Sequence, residues 1–186
     1  MRIAIAFSLA ALLIAAPAPA SEVEGVRFEE RVEVGGRALE LQGAGLLRYR
    51  WVIKAYVAAL YLPPGTTGAQ ALEDVPKRLE IEYFWSLAAP DFGKAADELL
   101  RRKLPAAELA RLRERLDRFH SAYRDVEPGD RYALTYQPGV GTELSLNDEP
   151  ITTIRGADFA AAYFRIWLGD APIDAGFRDA LLGRTP

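Results

Sequence analysis

The 186-residue chain contains no cysteine. This excludes disulfide bridges, thiolate-held metal and lipid attachment to a cysteine near a processed N-terminus. There is a single histidine, His120, so paired imidazoles at metal-ligand spacing are excluded too and no metal site is expected. A nucleophile elbow, a P-loop and a dinucleotide-binding fingerprint are also missing. Gly139-Val140-Gly141 lies between two strand-like runs and reads as a hairpin turn, not a phosphate cradle. No cofactor is expected.

Charge of one sign is also lacking. Lys and Arg number 23 against 26 Asp and Glu, a net charge of −3, which is too slight to select nucleic acid as a partner. The basic residues Arg101 to Lys103 and Arg111 to Arg118 alternate with Glu108, Glu114 and Asp117, the pattern of a solvated helix face.

Only one long apolar run is present, and it stands at the start. Arg2 is followed by the almost wholly apolar Ile3 to Ala16 and then by Ala18-Pro19-Ala20. About 14 apolar residues fall short of the roughly 20 needed to span a bilayer. Residues 1–20 are therefore read as a secretory signal peptide cleaved after Ala20. That reading sends residues 21–186 to the periplasm as one domain with no integral membrane anchor. Removal of Arg2 leaves 22 basic residues against 26 acids, a net charge of about −4.

The rest reads as strands, then helices, then strands. Val26 to Val34 and Arg37 to Gln42 flank Gly35-Gly36 as a β-hairpin, and Gly43-Ala44-Gly45 lets the chain bend. Trp51 to Leu62 and Lys77 to Ser86 form further strands, the first stopped by Pro63-Pro64-Gly65. Asp91 to Lys103 is a helix with acids in its first turn, where the helix dipole favours them. A second helix starts at Pro105 and runs to about Tyr123. Its stripe of Leu109, Leu112, Leu116, Phe119 and Tyr123 is a core face. Asp130 to Tyr136, Gly141 to Leu146 and Ile151 to Ile154 are antiparallel strands, and two helices, Asp158 to Leu168 and Ile173 to Leu182, close the chain. The expected class is α+β, an antiparallel sheet with helices layered on one face. Trp51, Trp85 and Trp167 fill the core or line a ligand cavity.

The segment Gly43 to Leu62, GAGLLRYRWVIKAYVAALYL, sets Arg48 in a mostly apolar run and follows it with Tyr56. An unpaired buried charge costs several kcal/mol, so Arg48 either leans out to water beside a Glu or Asp, or meets an anion that suits its planar fork. Lys54 can assist an anion or snorkel to water.

This segment, with the block from Asp130 to Thr142 and the run from Gly156 to Gly169 that ends in Ile-Trp-Leu-Gly, resembles the chalcone isomerase-like family, in particular its secreted bacterial members. The resemblance implies an open-faced β-sandwich. In the plant enzymes an arginine after the G-A-G turn polarises the substrate carbonyl, and Arg48 corresponds to it. The supporting polar positions do not correspond. Tyr56 stands for a threonine, Phe92 for a tyrosine, Leu99 for an asparagine and Ile166 for a serine or threonine. Flavanone chemistry is therefore not expected, and no catalytic residue is assigned.

The resemblance points instead to a non-catalytic binder of a fatty acid or similar apolar carboxylate. Its ligand-binding residues would be Arg48 and Tyr56 at the carboxylate, with Phe92, Leu99 and Ile166 along the tail. Along one unbroken strand those two would lie about 26 Å apart, so the chain must turn between them, although Arg50 to Val52 contains no Gly, Pro or Asn. Two alternatives stand beside this reading: an isomerase or lyase acting on an enone- or chalcone-like substrate, and a ligand-free interaction module.

Overall fold

The computed structural model describes residues 20–50 and 52–184. The proposed signal peptide therefore lies outside the described residues except for Ala20, and Trp51 lies outside them as well.

The chain begins with a hairpin of β1 (Ala20–Val23) and β2 (Val26–Glu29). A seven-stranded antiparallel meander follows: β3 (Arg31–Val34), β4 (Arg37–Tyr49), β5 (Ile53–Leu62), β6 (Lys77–Tyr83), β7 (Arg131–Gln137), β8 (Gly141–Leu146) and β9 (Glu149–Ile154), each paired with the next. Helices α1 (Ala89–Lys103) and α2 (Ala106–His120) are inserted after β6, and α3 (Ala157–Leu168) and α4 (Ala175–Leu181) follow β9. This is an antiparallel sheet layered with helices, the α+β class expected. No helix among the described residues is long and apolar enough to cross a membrane.

Alternation along the strands sorts the core into two parts. On β5, Ala58, Leu60 and Leu62 join the large core under the helices, whereas Val57, Ala59 and Tyr61 join a smaller core with Val26 and Phe28 of the β1–β2 hairpin. On β6, Leu79, Ile81 and Tyr83 face the helices. Arg78, Glu80 and Glu82 lie between them, and Arg131 of β7 bonds Glu80 at 3.2 Å and Glu82 at 2.6 Å. This is the period-2 pattern of a sheet whose two faces meet different surroundings.

The stripe on α2 is core: Leu112, Leu116 and Phe119 are buried, and Leu109 and Tyr123 pack against them. Gly35 and Gly36 make the β3–β4 turn with φ of +56° and +74°, as two-residue hairpins require.

The role read for Gly43-Ala44-Gly45 is corrected. β4 runs through all three residues, with an irregularity in register between Leu41 and Gly43. The two glycines serve the close approach of α4. A Cβ on Gly43 would run into the Ala180 carbonyl, and one on Gly45 would lie 2.9 Å from Ala180 Cβ and 3.3 Å from the Phe177 ring. The bend comes later, between β4 and β5, where Arg50 adopts φ +49° and the Val52 N–H donates to the Tyr49 carbonyl at 3.4 Å.

Candidate functional site

Between the helix-facing side of β5, β6 and β7 and the helices α1 and α3 lies a cavity of about 400 Å³. Its volume follows from small side chains at facing positions. α1 presents Phe92, Ala95, Ala96 and Leu99 to it, the i, i+3, i+4, i+7 stripe of a helix face, with two alanines in the middle. α3 adds Tyr163, Ile166 and Trp167, and the sheet adds Ala55, Tyr56, Ile81 and Tyr83. Large side chains at the ends of the stripe, Phe92 and Leu99, and methyl groups at its centre leave the space unfilled.

The walls are tied together by their rings. Tyr56 is the direct cross-strand neighbour of Tyr83, and their rings meet edge to face at 5.5 Å. Tyr83 meets Phe92 at 5.5 Å in the same way, and Phe92 stacks on Tyr123 at 4.8 Å. Such pairs add about 0.5–1.5 kcal/mol each beyond their area burial. The polar ends are held as well. Trp167 Nε1 donates to Tyr56 Oη at 2.9 Å, the hydroxyls of Tyr123 and Tyr163 lie 3.1 Å apart, and Tyr132 Oη donates to the Arg124 carbonyl at 2.8 Å.

Because indole is only a donor, Tyr56 accepts there and its own proton remains available. Burial pushes the hydroxyls of Tyr56, Tyr83, Tyr123 and Tyr163 well up from the ordinary phenol value. These phenols stay neutral donors, and none acts as a base near neutral pH. The carboxylate among the described lining residues is Asp91, 58% exposed at the mouth and 3.4 Å from Lys94 Nζ. The cavity can therefore solvate hydrocarbon and offer a few hydrogen-bond donors, but its interior lacks a general base among the described lining residues.

Four of the five residues expected at a ligand site come together here: Tyr56, Phe92, Leu99 and Ile166 all line the cavity. Arg48 does not line it. The chain does turn between Arg48 and Tyr56, but an irregularity at Leu47/Arg48 pairs Tyr56 with Leu47 and sets Arg48 opposite Lys54. Tyr56 and Arg48 consequently sit on opposite faces of the β4–β5 ribbon, and the expected arginine–tyrosine pair does not form. Arg48 Nη2 reaches Glu24 at 3.3 Å and Lys54 Nζ reaches it at 2.6 Å. The Lys54 hydrogen bond, with the charges of Lys54 and Arg48, holds the Glu24 carboxyl below its ordinary value. Arg48 is 43% exposed and edges a second depression, which shares Tyr49, Ala55 and Ile173 with the cavity mouth.

The tryptophans divide. Trp167 is buried in the cavity wall. Trp85 belongs to the mouth rather than the core, with its Nε1 donating to the Lys54 carbonyl at 2.7 Å and the residue 58% exposed. The sequence reading missed Tyr83, Tyr123 and Tyr163 as lining residues. Tyr83 could be found only from the β5–β6 register, but the Phe92-Ala95-Ala96-Leu99 stripe was a local signal for a helix face that leaves space.

Residues 20–183 match the sequence profile of the family described as chalcone isomerase-like. The chain belongs to the chalcone isomerase-like family. Among solved structures, a fatty-acid binding protein of Arabidopsis thaliana superposes with a TM-score of 0.68 at 13% identity, covering 89% of this chain and 96% of its own. At that identity the likeness shows a common fold. No curated protein sequence matches the chain. Within the family fold, the cavity sits between the sheet and its helices, open at the end where the β4–β5 hairpin meets the loop before α4.

Proposed function

We propose that this member of the family is a non-catalytic binding protein for a fatty acid or a similar apolar carboxylate. The observation that carries the reading is the cavity of about 400 Å³ walled by Phe92, Leu99, Ile166 and tyrosine rings. Its size falls within the roughly 300–1,000 Å³ of small-molecule sites, and its predominantly apolar lining with a few polar groups is their usual composition. The hydrocarbon tail occupies the interior. A bare carboxylate there would lack a cation, and burying it would cost several kcal/mol, so the charged end stays at the mouth, beside the depression edged by Arg48 and Arg50. The fatty-acid binding protein of the same fold agrees with this assignment. In this reading residues 1–20 deliver the chain to the periplasm.

Native mass spectrometry of the purified protein, followed by organic extraction, tests the proposal. Bound long-chain amphiphile, together with a rise in unfolding temperature on adding oleate, is expected. A protein that carries no lipid and whose unfolding is unmoved by oleate overturns it. Turnover of naringenin chalcone well above the spontaneous rate would instead select the isomerase reading.

A further inference from the structure

Seven large apolar side chains are exposed among the described residues: Tyr49, Val52, Ile53, Trp85, Leu87, Val140 and Ile173. Their distribution is uneven. Tyr49, Ile53, Trp85, Leu87 and Ile173 line the cavity and define its mouth. Val52, 75% exposed, stands at the tip of the β4–β5 hairpin between two of them. Only Val140 lies elsewhere, in the β7–β8 turn. Scattered exposed apolar residues need no explanation, but a contiguous apolar rim marks an interaction site.

The chemistry of the rim selects the partner. Tyr and Trp, with an apolar body and a polar tip, are the side chains that settle at a membrane–water boundary. Trp85 shows that arrangement, since its N–H is bound to the Lys54 carbonyl while its ring remains exposed. The same hairpin bears three cations, Arg48, Arg50 and Lys54. The single acid bonded to them is Glu24, which contacts Arg48 and Lys54. Arg50 is exposed, with its guanidinium 5.4 Å from the Tyr49 ring centroid. Asp91 and Asp174 lie across the mouth, on the helix side. The hairpin therefore combines an apolar tip with a local excess of positive charge, the pairing that suits an anionic bilayer surface.

We infer that the cavity mouth docks on an anionic lipid surface through the β4–β5 hairpin and Trp85, so that an apolar ligand passes between bilayer and cavity without crossing open water. The last clause rests on the binding function proposed above; the docking itself rests on the exposed rim and its cations.

Flotation of the full chain with phosphatidylcholine vesicles containing phosphatidylglycerol, alongside native mass spectrometry of bound lipid, separates the two. The wild type is expected to float with these vesicles and Val52→Asp to remain in solution. Arg50→Glu should weaken binding by at least about fivefold, the worth of one basic residue near an anionic surface. Val140→Asp should bind as the wild type does. Val52 lines neither the cavity nor the depression beside its mouth, so Val52→Asp should keep its bound lipid and its unfolding temperature. A lipid-loaded wild type that does not float overturns the docking and leaves the binding function standing. Flotation that depends on Val52 in a protein free of bound lipid upholds the docking and sinks the binding function. A dimer detected by analytical ultracentrifugation and dissolved by Val52→Asp, with no flotation, overturns the docking and assigns the rim to a second copy of the chain.

Discussion

The indole N–H of Trp167, on α3, donates to the hydroxyl oxygen of Tyr56, on β5, at 2.9 Å, joining the helix layer to the sheet inside the cavity wall. Removing the acceptor strands a buried donor, which costs about 1–3 kcal/mol. Tyr56→Phe is therefore expected to lower stability by that amount in urea denaturation. Trp167→Phe in the Tyr56→Phe background should cost less than it does alone, and additive costs would show that the bond does not stabilise the fold.

Arg48 and the cavity should separate cleanly under mutation. The Arg48–Glu24 pair is exposed, and such pairs contribute about 0–1 kcal/mol. Arg48→Ala is expected to change oleate affinity by less than about 1 kcal/mol. Ala95→Trp, which places an indole in the space left by the α1 stripe, should abolish uptake while circular dichroism remains that of the wild type. Calorimetric titration of both variants checks the contrast.

Gly43 supports α4 by what it lacks. A methyl group there meets the Ala180 backbone, and the helix must move to admit it. Gly43→Ala is expected to destabilise the protein by about 1–3 kcal/mol, as overpacking does. Its chemical-denaturation midpoint should fall accordingly, whereas Ala180→Gly in the same background should recover none of the loss, because the obstacle is the Ala180 carbonyl rather than its side chain.

His120 makes stability fall in mild acid. Burial lowers its pKa from the ordinary value, against the opposing pull of Asp97, whose carboxylate lies 3.5 Å from Nδ1. The unfolded chain then binds a proton that the folded chain refuses, so unfolding free energy drops as pH falls. The window opens near the ordinary imidazole value of about 6.5 and closes at the depressed folded value. As the chain has no other histidine, His120→Gln should flatten this part of the stability–pH profile, measured by urea denaturation from pH 7 downward.

Local pattern revealed the elements and hid their register. The α2 stripe and the Gly35-Gly36 hairpin were legible because the helix period and the glycine dihedral preference are properties of a few adjacent residues. The turn at Arg50 was not, since it places a non-glycine residue at φ +49° on the strength of the strand pairing on either side. The same pairing decided which face Arg48 takes. An arginine among apolar neighbours reads alike whether it points into a cavity or toward Glu24, and the irregularity between Leu47 and Arg48 leaves no trace in residue type. Phe92, Leu99 and Ile166 were named from the family resemblance, and the structure sets all three in the cavity wall. Trp85 was read as core or cavity lining, and the structure selects the second, at the cavity mouth just beyond the end of β6 at Tyr83.

The alanines at the centre of the α1 stripe leave the fold short of one piece of its own interior. The amphiphile of the proposed function would complete that interior, and anything that binds only the folded chain raises its stability by mass action. Loading would then govern lifetime as well as cargo. A cell starved of the amphiphile would hold less of the protein, because the emptied form opens to proteases more often.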